Sequence, residues 1–425
     1  MTKPRTLTDL SCADDYDPNS LPVDQARTFI REFLTPVATV ERLHIRAALD
    51  RVLAEDVVSP FDVPGHDNSA MDGWAVRFAD LDVKNETALR RIGTSFAGKP
   101  FDGEVHAGET VRIFTGGVMP RGADTVVMQE RARETRDGAV IAAGAVTKVG
   151  QNRRFAGEDL KRGAVVFGQG QPLRPAEIGM LASLGVNEVS VYRRLRVAFF
   201  STGDELRSIG QPLAAGEIYD SNRYTLYGML TRLGCETLDL GVVPDVPERL
   251  EAAFREAASA ADVVITSGGV SVGEADFVKE LLAKLGEVLF WKIAMKPGRP
   301  LAYGRIGEAH FFGLPGNPVS VMVTFYAFVR DALLLLQGRK EVTPPPLFKA
   351  ALAAPIRKMP GRTEFQRGVL SPLAGGGFEV RTTGDQGSGI LSSMSRANCF
   401  IVLPAETGNV EPGTPVDVQW LDAIL

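Results

Sequence analysis

Residues 263–276 read VVITSGGVSVGEAD. A β-branched run, Val263 to Thr266, breaks into Ser267, Gly268 and Gly269, and the segment closes on Asp276 as a helical pattern begins. An uninterrupted apolar run of this length suits a parallel strand buried on both faces. The two glycines let the backbone turn tightly and bring its N–H groups close to a ligand. A loop of this kind ahead of a helix N-terminus favours an anion, through oriented amides and the helix dipole. Asp276 stands where a carboxylate would hold or steer a metal ion. A glycine turn of an ordinary α/β fold carries the same letters, so the neighbouring segments decide the reading.

Three further stretches repeat the pattern. STGDEL (201–206) follows the run LRVAFF, FWKIAMKPGRP (290–300) ends in basic residues around Pro-Gly, and GLPGNPVS (313–320) follows HFF and opens a long apolar helix. Strands and amphipathic helices alternate through 195–342, which predicts a doubly wound parallel α/β sheet. Ligands of such sheets bind beyond the carboxyl ends of the strands. All four loops are therefore expected to meet in one crevice.

Size and composition narrow the class. A chain of 425 residues with 44% hydrophobic and 23% charged residues is a multidomain globular protein by composition. A net charge of −5 argues against a nucleic-acid partner. Cys12, Cys235 and Cys399 are scattered, as are the four histidines, so no zinc spacing exists and the thiols read as reduced, in a cytoplasmic protein. The N-terminal segment lacks the apolar core of a signal peptide. The most apolar stretch, 318–338, contains Arg330 and Asp331 and reads as a core helix, so no membrane partner is expected.

Helical spacing of Val23, Ala26, Phe29, Ile30 and Phe33 predicts a helix ending before Pro36, and a second helical pattern is read over Val40–Val58. Residues 20–58 and 151–194, the latter with a helix at 175–184, read as a discontinuous linking domain around a β-rich insertion at 59–150. TPPP (343–346) separates the α/β domain from a C-terminal stretch, 343–425, expected to form a small β-barrel.

The candidate chemistry lies at the predicted strand ends. Glu205, Asp245 and Asp276 form a possible acidic, metal-binding side, since carboxylates beside cations suit a hard ion such as Mg²⁺ handling phosphate; as helix caps they would need no ligand. Lys292 and Lys296, at even spacing on one strand face, and Arg299 behind them suit an oxyanion or phosphate. Pro315, Asn317 and Pro318 complete the substrate-binding set on the fourth loop. In the insertion, DVPGHDNSAMDGWAV (62–76) holds Asp67 and Asp72 and IFTGGVMPRGAD (113–124) holds Thr115; just beyond it, RRFAGEDLKRG (153–163) holds Asp159. Each of these stretches is equally at home as a turn or an ion-pair cluster.

Taken in order, DNSAMDGWA, IFTGGVMPRGAD, AGED, STGDEL, YDSNR, TSGGVSVGEAD, KPGRP and GLPGNPVS resemble the MoeA family of molybdopterin molybdenumtransferases, which includes the C-terminal domain of gephyrin. The resemblance runs from about residue 20 to the C-terminus. It departs at Trp74, where Tyr or Phe is usual, and at Arg299, where Lys is common.

The resemblance implies a four-domain homodimer that transfers molybdenum from molybdate into adenylylated molybdopterin, with Mg²⁺-dependent release of AMP. By it, Ser267, Gly268 and Gly269 cradle the phosphate, Glu205, Asp245 and Asp276 position Mg²⁺, and Lys292, Lys296 and Arg299 receive molybdate or phosphate with Ser388 and Arg362. Asp67, Asp72, Thr115 and Asp159 then come from the partner subunit or its hinge, with Asp67 and Asp159 in catalytic roles. Molybdopterin adenylyltransferase and other cofactor-biosynthesis proteins are the implied partners. The competing readings are an adenylyltransferase, which shares only 195–340, and a non-catalytic scaffold of the gephyrin type.

Overall fold

The computed structural model describes residues 20–269 and 276–421, with side chains left out at Asp276 and Phe277. The chain divides into two compact units. One comprises the chain up to Ala54, Gly170–Pro175 and everything from Glu188 on; the other comprises Glu55–Gln169 and Ala176–Asn187.

The first unit is built on a six-stranded sheet. In chain order its elements are α1 (Val23–Glu32), β1 (Arg196–Thr202), α2 (Ser221–Arg232), β2 (Glu236–Val243), α3 (Pro247–Ala260), β3 (Val263–Ser267), α4 (Asp276–Leu285), β4 (Gly286–Lys292), β5 (Pro300–Ile306) and β6 (Ala309–Leu314). The strand order is β2-β1-β3-β6-β5-β4. Strands β2, β1, β3 and β6 are mutually parallel, whereas β5 runs antiparallel to both β6 and β4. The doubly wound core is thus extended by an antiparallel pair. The two reversals leave β4 pointing the same way as β6, so its end also faces the crevice. Strand order reverses between β1 and β3, the point at which ligands enter such sheets.

Alternation of side chains supplies a core on each face. Val197 and Phe199 of β1 join Val263, Ile265 and Phe312 against α2 and a long C-terminal helix. Ala198 and Phe200 point the other way, with Val264 and Phe311, against Leu250, Phe254 and Ala257 of α3. Phe254 contacts Phe200 and Phe311 edge-on, with ring centroids 5.2 and 5.6 Å apart. Every residue of β3 and β6 is buried, which is why both strands read as unbroken apolar runs.

The helix that follows β6 comprises α5 (Pro318–Thr324), a π-helical turn at Phe325–Val329 and α6 (Arg330–Leu336). It is apolar and long enough to cross a membrane, yet 72% of that stretch is buried within the protein, as the core-helix reading expects. Arg27 Nε of α1 donates to the Ala327 carbonyl in the π turn, at 2.9 Å.

Beyond it, β7 (Leu347–Leu352), β8 (Thr363–Pro372), β9 (Phe378–Thr382), α7 (Leu391–Arg396), β10 (Cys399–Leu403) and β11 (Pro415–Trp420) form the C-terminal domain. The ring β8-β9-β7-β11-β10 closes through the β8–β10 pairing into a five-stranded barrel. Closure leaves no free edge in the ring.

The second unit is β-rich. Its six-stranded sheet has the order Thr125–Met128, Gly73–Val76, Glu109–Ile113, Thr87–Ser95, Gly138–Ile141, Ala132–Glu134. Its two faces bury Trp74, Leu89 and Val127 on one side and Val105, Val111 and Ile113 on the other.

One predicted element is replaced. Val40–Val58 is not a second helix: Val40–His44 pairs as an antiparallel strand with Glu188–Tyr192. A single turn follows, with Ala48 N–H donating to His44 O at 3.2 Å, and the chain then enters the left-handed region at Asp50 (φ 62°). A residue with positive φ cannot continue a right-handed helix. The helix read at 175–184 is present as Pro175–Ser183.

Because Phe254 fills the space between α3 and the sheet, Phe254→Ala should cost about 3–5 kcal/mol. A fall in the denaturant midpoint, with an unchanged slope, is the expected measurement.

Candidate functional site

At the carboxyl ends of β1, β2, β3 and β6 lies a cavity of about 800 Å³. It is lined by Thr202, Gly203 and Glu205 after β1, Asp245 after β2, Ser267–Gly269 after β3, and Pro315–Pro318 after β6. Gly298 and Arg299 enter from the loop after β4, and Gly389 and Leu391 from the barrel domain. Four separated loops of the sequence are brought to one place.

Close backbone approach explains the glycines. Gly268 has φ +93°, and a Cβ there would sit 2.5 Å from the Thr202 carbonyl oxygen. Gly298, at φ +96°, would place a Cβ 2.4 Å from Thr324 Oγ1 of α5. A side chain at Gly268 would require the backbone to move; one at Gly298 would strain the positive φ and require the Thr324 side chain to turn aside.

The predicted carboxylates divide. Glu205 and Asp245 line the cavity together, with Asp204 beside them donating charge to the same rim. Burial pushes the Asp245 carboxyl above its usual range, and repulsion from Asp204 and Glu205 adds to the rise. Asp276 opens α4, but its side chain and residues 270–275 lie outside the described residues.

Among the described residues, no group of three or more His, Cys, Asp or Glu side chains is arranged to hold a metal. Mg²⁺ asks for less, because one or two carboxylates and substrate phosphates suffice. Glu205 and Asp245, two carboxylates that repel each other on one rim, fit that demand.

The basic residues divide as well. Arg299 lines the cavity. Lys292 and Lys296 do not share a strand face: β4 ends at Lys292, and Met295–Lys296 pairs instead in parallel with Thr363–Glu364 of β8. Lys296 Nζ lies 3.5 Å from Glu364 Oε1, so its charge ties the loop to the barrel. Arg362 is exposed in the turn before β8, outside the cavity lining. Ser388 is half-buried, and its carbonyl accepts from Val319 N–H of α5 at 3.1 Å, next to the lining residue Gly389.

In the β-rich unit, Thr115 donates through N–H and Oγ1 to Asp72 Oδ1, both at 2.8 Å, so these two predicted residues do meet. Those two bonds, the backbone one leading, hold the Asp72 carboxyl below its usual range. Asp67 accepts from Arg153 and from Ala156 N–H at 2.7 Å. Burial opposes its ionisation, but Ala156 and Arg153 outweigh it and hold Asp67 low. Asp67 therefore fastens its loop to the 153–156 segment. Asp159 is exposed, and its N–H donates to Val63 O at 3.0 Å.

Three residues not singled out by the sequence reading belong to the site. Asp220, 1% exposed, caps α2 by accepting from Arg223 N–H at 3.2 Å and takes a bond from Ser201 Oγ at 3.0 Å. Asn222 is buried in the first turn of that helix. Arg367 of β8, 1% exposed, donates through Nε to Ser393 Oγ and through Nη2 to Gly387 O, each at 3.0 Å, and so holds the loop that carries Gly389. Burial lowers its pKa to about 10, with Asp385 opposing, which still leaves it charged at neutral pH. An Asp before a helical pattern was a legible cap signal for Asp220; nothing local marks Arg367 on an alternating strand.

An α/β crevice with glycine loops, a guanidinium and an acidic rim has the chemistry that suits a phosphorylated ligand. The comparisons narrow that class. The model of the MoeA N-terminal region (domain I and II) matches residues 21–185, that of a probable molybdopterin binding domain 198–334, and that of the MoeA C-terminal region (domain IV) 349–421. A molybdopterin molybdenumtransferase of Haemophilus influenzae is 48% identical over 405 residues, covering 95% of this chain and 100% of that protein. One from Nostoc is 37% identical over 389 residues, 90% of this chain and 88% of its own. The crystal structure of a molybdopterin biosynthesis MoeA protein from Pyrococcus horikoshii superposes with a TM-score of 0.81 at 30% identity, covering 95% of this chain and 100% of that one. The chain belongs to the MoeA family.

Two outcomes follow from the site. Gly268→Ala should weaken ligand binding at least about tenfold, because both the φ and the Thr202 contact oppose a Cβ; calorimetric titration measures it. Ionisation of Asp245 is opposed in the fold, so its contribution to stability is present at low pH and lost as pH rises through its raised value. Asp245→Asn should therefore raise the melting temperature at pH 7.5 and leave it unchanged at pH 3.

Proposed function

We propose that this protein is a molybdopterin molybdenumtransferase, acting on adenylylated molybdopterin and molybdate with release of AMP. The observation that carries the reading is the single crevice into which the 201–206, 267–269, 298–300 and 315–318 loops converge, in a chain matched along its length by transferases of that name. Every ligand of the reaction is an anion, and the crevice offers what an anion needs. Its backbone loops approach closely, Arg299 supplies positive charge, and burial strengthens both.

In this reading the 267–269 and 315–318 loops bind and orient the phosphate-bearing ligand, and Arg299 offsets its charge. Glu205 and Asp245 would hold Mg²⁺, which would supply charge neutralisation for the phosphoanhydride. An oxygen of molybdate bonds to the AMP phosphorus as the bond from that phosphorus to the bridging oxygen breaks. The bond of that molybdate oxygen to molybdenum breaks as the deprotonated dithiolene sulfurs bind the metal. AMP leaves with the molybdate oxygen, and the bridging oxygen stays on the molybdopterin phosphate. The apolar lining from Val278 and Leu391 limits water around the reacting bond.

We infer further that the enzyme is a cytoplasmic homodimer, in which the β-rich unit of the partner subunit supplies Asp72 and Thr115. The ion-pair and hydrogen-bond pattern of Asp67 supports a fastening role for it. Sedimentation as a monomer at working concentration would overturn the shared arrangement.

The test of the reaction is AMP release from adenylylated molybdopterin with Mg²⁺, with and without molybdate. Molybdate-dependent release together with formation of active cofactor is the expected result. Synthesis of adenylylated molybdopterin from ATP, or neither activity, would overturn it. Glu205→Gln and Asp245→Asn should each lower turnover by about 100-fold, the scale seen when one electrostatic partner of a transition state is removed.

A further inference from the structure

Three strand ends at the crevice are held by one turn of helix. Asp220, the cap of α2, takes a hydrogen bond from Ser201 at the end of β1. Two residues on, Asn222 Nδ2 donates to Ser267 Oγ at 2.8 Å and to the Gly316 carbonyl at 2.6 Å. Asn222 is 7% exposed, and Ser267 1%. A carbonyl oxygen only accepts, so the bond to Gly316 fixes which end of the amide faces the loops. The other end is left at a cost: Asn222 Oδ1 is buried with no hydrogen-bond partner among the described residues. Such a cost is tolerated where the donors are needed.

The consequence falls on Ser267. Its oxygen accepts from Asn222 and its hydroxyl is directed to the Pro315 carbonyl at 3.4 Å, while Gly268 N–H donates to Leu314 O at 3.1 Å. Ser267 Oγ and Gly268 N–H are thus bonded to the 314–317 loop, which fixes the position in which the 267–269 loop lines the cavity.

We propose that Asn222 is a positioning residue for the anion-receiving loops, acting through Ser267 and Gly316. It clamps the loop after β3 to the loop after β6, and the Ser267 hydroxyl serves as a relay within that clamp. This deepens the reading of the crevice as the site for adenylylated molybdopterin and rests on it for the ligand alone.

The ligand-free test is hydrogen–deuterium exchange on the full chain. Asn222→Ala should raise exchange at 266–269 and at 314–317, segments on which Asn222 does not lie, with the centres of β1 and β3 still protected. Asn222→Asp separates the two arms and covers the case in which the alanine variant folds poorly. A carboxylate cannot donate to Ser267 Oγ but can accept from its hydroxyl, turned away from Pro315 O. It also repels the Gly316 carbonyl, so exchange should rise at 314–317 and stay low at 266–269. Unchanged exchange at 314–317 in both variants would overturn the clamp.

Binding of AMP, measured by calorimetry, tests the relay. Asn222→Ala and Ser267→Ala should each weaken AMP about tenfold, the size of one well-placed hydrogen bond, and the double variant should be no weaker than the worse single one. Multiplying losses would overturn the relay, as contact of Ser267 with the ligand would produce them. If the unaltered protein binds no AMP, the functional reading of the crevice fails, while the exchange pattern still decides the clamp.

Discussion

The site depends on how closely β1 and β3 end side by side. A side chain at Gly268 would meet the Thr202 carbonyl at 2.5 Å, so the two loops approach at backbone distance. That approach occurs only at glycine, and only because both strands are buried, parallel and in register from Val197 with Val263 to Ser201 with Ser267. The register brings both strand ends to the same level, and reversal of strand order there opens a gap between the loops that follow them. The crevice is therefore a product of topology before any functional side chain is added.

Charge is then distributed unevenly around that gap. Carboxylates gather on the β1–β2 side, where Asp245 feels Asp204 and Glu205. Cations lie opposite, with Arg299 on the lining and Arg367 buried beneath the barrel loop. The barrel domain is fastened to the same region three ways: by pairing of Met295–Lys296 with β8, by the Lys296–Glu364 ion pair, and by Val319 N–H on Ser388 O. A closed barrel is a stiff support, and it presents Gly389 and Leu391 as a fixed wall. The small net charge of the chain hides this separation.

Much of this was legible in the sequence, for identifiable reasons. Buried parallel strands announce themselves as apolar runs, and glycine loops after them mark places where backbone must come close. That logic located the cavity and the residues Glu205, Asp245, Ser267–Gly269 and Pro315–Pro318 on its wall. It failed where long-range pairing overrides local pattern. Val40–His44 carries helical spacing yet joins Glu188–Tyr192, far along the chain. Lys292 and Lys296 have strand spacing, but the strand stops between them and the second lysine is claimed by the barrel. Arg367 was not singled out because nothing in an alternating strand marks which position will be buried with a charge. Asn222 was missed because its partners lie 45 and 94 residues away.

The central claim is that the phosphate-bearing ligand sits at the strand ends between the 267–269 and 315–318 loops. A crystal structure of the protein with AMP and molybdate tests it most directly. The account predicts the AMP phosphate against those two loops, with Arg299 on one side and the Glu205–Asp245 rim on the other. AMP bound elsewhere on the protein, with this crevice empty, would contradict it.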